Sequence, residues 1–183
     1  MSLAPAFLLS MPQLVDPNFN RTVVLLCRHS EKDGAFGVVV NRPLMTTGRV
    51  TVNLDPPAST DRELQLWVGG PVEPQRSWIL VGHDGEAEED LGTPITDNLS
   101  LSTSPDLLRR MLEPDPPSLA RLIVGYSGWG PGQLEAELAA SAWLMSDVDR
   151  DLIFAIPSDR MWETAIRRLG ADPAALQMSR GVH

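Results

Sequence analysis

The chain has 183 residues, 43% of them hydrophobic, with a formal net charge of −9 and an isoelectric point near 4.7. That length fits one domain, spanning 1–183, with its own core, and the acidity sets the average field against phosphate backbones, so direct nucleic-acid binding is not expected. The single cysteine excludes an internal disulfide and any zinc site built on cysteine pairs, which suits a reducing cytoplasm.

The first ten residues lack a basic leader and are broken by Pro5, so neither a signal peptide nor a membrane span is expected there, and no other segment approaches ~20 uninterrupted apolar residues. Phe7-Leu8-Leu9 reads as a short strand, stopped by Met11-Pro12 ahead of the turn formers Asp16-Pro17-Asn18. Thr22 to Cys27 is apolar on both faces, as a strand in a covered sheet would be, and Ala35 to Asn41 resumes β-branched character, so the two predict an antiparallel hairpin closed by Arg42-Pro43.

Between Met45 and Arg62, Asp55-Pro56-Pro57-Ala58-Ser59 reads as a surface connection, because apolar runs resume on both sides. Leu64 to Val68 predicts a strand ending in Gly69-Gly70-Pro71, and Ser77 to Val81 another. The acidic stretch Asp84 to Asp90 has little to bury and reads as a solvated loop. Leu99 to Ser102 alternates; Thr103 or Ser104 then caps a helix that begins at Pro105 and runs to Leu112.

Arg121 to Tyr126 predicts a strand feeding a glycine loop, Gly125-Tyr126-Ser127-Gly128-Trp129-Gly130-Pro131-Gly132. A helix beyond it places Leu134, Leu138, Ala142 and Met145 on one stripe, with Trp143 beside it. Leu152 to Ile156 reads as a last strand and Arg160 to Leu169 as a last helix ending at Gly170, with Met161, Ala165 and Leu169 spaced by four. Strands fill the first half and helices alternate with strands in the second, which predicts a mixed sheet with helices packed on it.

Four landmarks, Met11-Pro12 with Asp16 to Val23, Gly37 to Pro43, Val68 to Val72 and Gly125 to Glu135, resemble in order and spacing the YqgE/AlgH family of bacterial proteins, and the likeness runs from about Phe7 to Gly170. The resemblance implies one α+β domain whose mixed, bifurcated sheet folds into a pseudo-barrel, in the bacterial cytoplasm. Some family members have been labelled transcriptional regulators of exopolysaccharide genes, and the family has no assigned biochemical activity.

The residues themselves offer several chemistries. Ser127 sits as in a nucleophile elbow, but Trp129 stands where Gly-x-Ser-x-Gly needs glycine, and only His29, His83 and His183 could serve as base. Gly128-x-Gly130-x-Gly132 imitates a dinucleotide fingerprint that fails at Gln133, and no Walker lysine follows. Free amides at the start of the helix, from Gly128 through Gln133 and Glu135, could hold an anion or simply turn the chain. Cys27 and His29 share a strand face, as a reactive pair or as a packed thiol beside a polar residue. No spacing of ligands points to a metal and no motif to a cofactor.

Asn41-Arg42 and Gly69-Gly70 lie at strand exits, where Arg42 would offer a planar cationic fork to the glycine loop or pair locally with an acid. Trp129, flanked by glycines, is the tryptophan expected to be exposed as an anchor. The leading expectation is a non-catalytic binding or regulatory protein that uses Asn41, Arg42, Gly69, Gly70 and the Ser127 to Glu135 segment to engage a small anionic ligand or a protein partner; the alternative is a hydrolase-like enzyme using Ser127 or Cys27.

Overall fold

The chain folds on one sheet whose strands read as unbroken apolar runs because both of their faces are covered. The structure, a computed structural model, describes residues 2–12, 14, 16–44, 51–52, 58–59, 64–84, 92–114 and 117–178. In chain order these form β1 (Ala6–Ser10), β2 (Val23–Ser30), β3 (Gly34–Val39), β4 (Thr51–Val52), β5 (Ala58–Ser59), β6 (Leu66–Val68), β7 (Val72–Gly82), β8 (Thr93–Thr96), β9 (Leu99–Ser102), α1 (Pro105–Leu112), β10 (Ala120–Trp129), α2 (Gln133–Ala139), β11 (Trp143–Ser146), α3 (Arg150–Phe154), α4 (Ser158–Arg168) and α5 (Pro173–Met178). Most of the Asp55 to Ser59 connection and of the acidic Asp84 to Asp90 stretch lies outside the described residues.

Along β1, β2 and β3 successive side chains alternate between two cores. Phe7, Leu9, Val23, Leu25, Val38 and Val40 face α3 and α4, meeting Leu152, Ile153, Met161, Trp162 and Ile166. Leu8, Val24, Leu26 and Val39 face α2, meeting Leu134 and Trp143. Farther along, Ile79, Val81 and Leu122 pack with Leu107 and Met111 of α1. Each such buried side chain contributes about 1.5–3 kcal/mol of transfer free energy, so this two-sided burial, more than any local turn, stabilises the sheet and sets its register.

Among the described residues the main sheet has nine strands in the order β11, β1, β2, β3, β10, β7, β9, β8, with β6 branching onto β10. All its pairings are antiparallel except β6 on β10, so the sheet is mixed, as expected. It divides along one edge of β10: Leu122 to Val124 pairs with β6, whereas Ser127 to Trp129 pairs with β3. Among the described residues the sheet forks but does not close, ending on β11 and β8, and the pseudo-barrel expectation is corrected to an open, bifurcated sheet.

The β2–β3 hairpin forms as expected, and Ser104 caps α1 by accepting from the Leu107 N–H. Other expectations are corrected. Leu152 to Ile156 is not a strand: the Asp149 carboxylate accepts from the Asp151 N–H and starts α3 there, and an apolar run of five does not by itself distinguish the two periods. The stripe through Ala142 and Met145 stops early as well. α2 ends at Ala139, Ser141 turns the chain at φ 59°, and Trp143 to Ser146 pairs with β1, because the free edge of β1 offers more hydrogen bonds than another helical turn. Leu169 is 45% exposed. β8 and α5 had no counterpart in the sequence reading.

The glycine loop is also shorter than expected. β10 runs on through Gly125 and Gly128 to Trp129, leaving only Gly130 to Gly132 as the turn.

Candidate functional site

A β-bulge leaves one residue of a strand unpaired and re-aims its side chain, and three irregular positions of this sheet converge on one cleft. On β2, Leu26 pairs with Gly37 and Arg28 with Phe36, leaving Cys27 as the extra residue. Between β10 and β7 the pairing breaks, Val124 facing Ser77 and Tyr126 facing Val72, so that Glu73 to Arg76 of β7 are the extra residues opposite Gly125. On β8, Pro94 pairs with Ser100 and Thr96 with Leu99, leaving Ile95 over. Cys27, Tyr126 and Ile95 all line a cleft of about 480 Å³, together with Arg28, Phe36, Arg76, Trp78, Gly92, Thr93, Leu101 and Thr103.

Its aromatic wall is built from three packed rings. The centroids of Phe36 and Trp78 lie 5.0 Å apart, those of Phe36 and Tyr126 5.1 Å, and those of Trp78 and Tyr126 6.2 Å at 89°. Such tilted and edge-on pairs are favoured by the ring quadrupoles. Arg76 lies over Trp78 at 4.6 Å, with a 3.5 Å contact to Glu73, and Arg28 is exposed with no carboxylate partner among the described residues. Among the described residues the two arginines are the only charged residues on the wall, in a chain of net charge −9.

A second cleft of about 570 Å³ shares Cys27, Arg28, Phe36 and Ile95 with the first and reaches Ser2, Ala4 and Pro5 at the N-terminus. His29 stands on its wall. Its Nδ1 accepts from the Leu3 N–H at 3.0 Å, which puts the ring proton on Nε2, and Nε2 donates to Glu135 of α2. That hydrogen bond, helped by Glu135's own backbone N–H, holds the Glu135 carboxyl below the usual carboxylate range. A depressed carboxylate stabilises the fold above its unfolded pKa, about 4.3, and loses that contribution as pH falls through the folded value. Between pH 6 and pH 3, the urea midpoint of the wild type is therefore expected to fall further than that of Glu135→Gln.

The expected site residues are placed as three groups. Asn41 ties β2 to the preceding turn, its Oδ1 accepting from the Val23 N–H and its Nδ2 donating to the Arg21 carbonyl. The backbone of Arg42 lies beside β6, accepting from the Val68 N–H. Its guanidinium turns the other way, donating to the carbonyls of Pro17, Asn18 and Asn20, so the fork is held by a turn, not offered to the glycine loop.

Gly69 and Gly70 form the second group, against β10. The Gly69 N–H donates to the Val124 carbonyl, and the Gly69 carbonyl accepts from the Val39 N–H and, at 3.0 Å, from the Ser127 hydroxyl. Ser127 is fully buried. In the third group, Gly128 and Trp129 pair with Phe36 and Ala35. Trp129 is 6% exposed and packs edge-on against Trp143 at 6.0 Å, which corrects the expectation of an exposed anchor: the glycines beside it belong to a strand and a turn. Gln133 folds back so that its Oε1 accepts from the Gly130 N–H at 3.0 Å, occupying one of the amides an anion would need.

Neither nucleophile candidate is paired with an imidazole among the described residues. The Ser127 hydroxyl is given to Gly69, and the Cys27 thiol donates to the Leu25 carbonyl at 3.4 Å. Burial pushes that thiol up to about 12, leaving roughly a thousandfold less thiolate near neutral pH than an exposed cysteine. Iodoacetamide at pH 8 is thus expected to alkylate Cys27 far more slowly in the native protein than in urea, as followed by intact mass.

The pattern that describes AlgH-like proteins matches residues 7–174 of this chain. The chain belongs to the AlgH-like family. It is 41% identical over 184 residues to a UPF0301 protein of Myxococcus xanthus, covering 100% of this chain and 99% of that one, and 39% identical to a UPF0301 protein of Sinorhizobium medicae, covering 96% and 90%. Its structure is similar to the solution structure of AlgH from Pseudomonas aeruginosa, with a TM-score of 0.74, 33% identity and coverage of 96% and 93%. The AlgH-like fold is thus shared over nearly the whole chain.

In this AlgH-like chain, sequence reasoning missed the cleft residues Arg28, Phe36, Arg76, Trp78 and Tyr126. They stand on β2, β3, β7 and β10, far apart in sequence, and only the pairing of those strands brings them together. The one available signal was Tyr126, the sole tyrosine of the chain, inside the glycine motif.

Proposed function

We propose that this AlgH-like protein is a non-catalytic binding protein of the bacterial cytoplasm that takes a small anionic ligand in the cleft at Phe36, Trp78 and Tyr126, and that any influence on transcription is indirect. The observation that carries this reading is a cleft whose charged wall residues, among the described residues, are Arg28 and Arg76, in a chain of net charge −9. Two guanidinium groups beside low-dielectric ring surfaces, Arg28 without a carboxylate partner among the described residues and Arg76 only 3.5 Å from Glu73 at the exposed rim, attract anions against the average field. The buried hydroxyl of Ser127 and the protonated thiol of Cys27 support binding over catalysis. Asn41, Arg42, Gly69, Gly70 and the Ser127 to Glu135 segment serve as the frame that holds β3 and β10 in position around this cleft.

The test is a thermal-shift titration against small anionic metabolites. A ligand at a hundred times its Kd stabilises the native state by about 2.7 kcal/mol, a rise of roughly 5–10 °C for a domain of this size. The shift is expected to vanish in Arg28→Ala/Arg76→Ala. No shift across the panel would sink the small-ligand reading in favour of a protein partner, and specific, steeply salt-dependent DNA binding in a mobility-shift titration would sink the indirect one.

A further inference from the structure

We infer that the cleft selects a planar carboxylate, an aromatic ring system bearing one carboxyl group, whose ring body lies along Phe36 and Ile95 toward the neighbouring compartment. This rests on the anion-binding reading of the same cleft and narrows it to one ligand class.

The donors on the described wall, together with its flat apolar lining, favour a carboxylate over a phosphate. Phosphate sites gather several backbone amides at a helix N-terminus or a nest of turns. Here the wall is made largely of strand residues: Arg28, Phe36 and Tyr126 sit at paired positions of β2, β3 and β10, so their amides face along the sheet. α1, which follows Thr103 of the wall, has its Leu107 amide taken by the Ser104 hydroxyl. What the described wall offers is the guanidinium forks of Arg28 and Arg76, the latter 3.5 Å from Glu73, the buried and unpartnered indole N–H of Trp78 and the hydroxyls of Thr93, Thr103 and Tyr126. A fork grips two coplanar oxygens, and without an amide nest to take a third these donors suit a carboxylate.

The rest of the lining asks for a flat apolar body. Phe36, Trp78 and Tyr126 supply ring surface, and Ile95 supplies an aliphatic edge. Cys27, Arg28, Phe36 and Ile95 belong to both clefts, so the second cleft adjoins the first at Phe36 and Ile95, the side on which a ring body larger than benzene would extend. The Cys27 thiol, held neutral by burial, adds no negative charge to repel the ligand.

The test is isothermal titration of the full chain with 2-naphthoate, benzoate, acetate, inorganic phosphate and adenosine monophosphate. The expected order is 2-naphthoate, then benzoate, each at least about tenfold tighter than acetate or phosphate. Arg28→Lys/Arg76→Lys, which keeps both charges and loses the forks, is expected to weaken 2-naphthoate about tenfold or more, and Phe36→Leu to remove its advantage over benzoate, with circular dichroism confirming that both variants are folded. If adenosine monophosphate binds more tightly than 2-naphthoate and depends on the same arginines, the carboxylate class is wrong and the anion cleft stands. If no probe binds in a way that depends on Arg28 and Arg76, both are wrong.

Discussion

Gly125→Ala is expected to destabilise the protein by about 2–5 kcal/mol, and Gly132→Ala by only about 1–2 kcal/mol. Both glycines have left-handed backbones, φ 75° and φ 78°, so an alanine at either pays a similar conformational cost. Their surroundings differ. A Cβ on Gly132 meets nothing within 4 Å, whereas one on Gly125 would stand 2.5 Å from the Gly70 carbonyl oxygen. Across that contact Gly69 and Gly70 run against β10 backbone to backbone, and neither side can retreat without breaking the Gly69–Val124 hydrogen bond. Urea unfolding of the two variants reads the difference as the steric part alone; equal losses would mean that the two backbones do not approach this closely.

Gly125 also precedes Tyr126 at the break in the β10–β7 pairing, so the same substitution reaches the cleft. Tyr126 is the sole tyrosine, and its ring protons form a single spin system shifted by both neighbouring rings. In any folded fraction of Gly125→Ala those shifts are expected to move toward random-coil values, while in Gly132→Ala they stay.

What the sequence disclosed follows periodicity. The β2–β3 hairpin, the capped α1 and the helix ending at Gly170 each carry a local signal: apolar runs of β-branched residues, a serine before proline, a glycine after an apolar stripe. The errors arose where neighbours decide. Leu152 to Phe154 is short enough to suit either period, and only the Asp149 cap and the core beneath α4 make it a helix. Trp143 to Ser146 joins β1 because an edge was open there. The site was the least legible part, since a bulge is a property of two strands in register and Cys27, Ile95 and Tyr126 announce none. The glycine motif was conspicuous for the reason that glycine motifs often are: it lets two backbones touch, and the chemistry-bearing side chains lie one residue away.

Arg121→Ala is expected to cost about 3–5 kcal/mol, with Arg121→Met costing about 1–3 kcal/mol. Arg121 of β10 reaches beneath the fork of the sheet, donating to the Val40 carbonyl at 2.7 Å and to the Ile153 carbonyl of α3. Its guanidinium lies 3.8 Å from the ring centroid of Trp67 and 5.5 Å from that of Phe154. Burial works against the charge, pushing its pKa down to about 10, so at neutral pH a charged group is held in place by two carbonyls and two ring faces. Removing it relieves that desolvation but leaves both carbonyls without their donor, at about 1–3 kcal/mol each, and gives up a desolvated cation–π contact worth roughly 2 kcal/mol. The losses outweigh the relief. Methionine refills the space of the stem and recovers the packing part, whereas alanine leaves a cavity between Trp67 and Phe154. Thermal unfolding of the two variants separates these contributions: if Met is as stable as the wild type, the hydrogen bonds to Val40 and Ile153 contribute nothing net, and α3 is held to the fork by apolar packing alone.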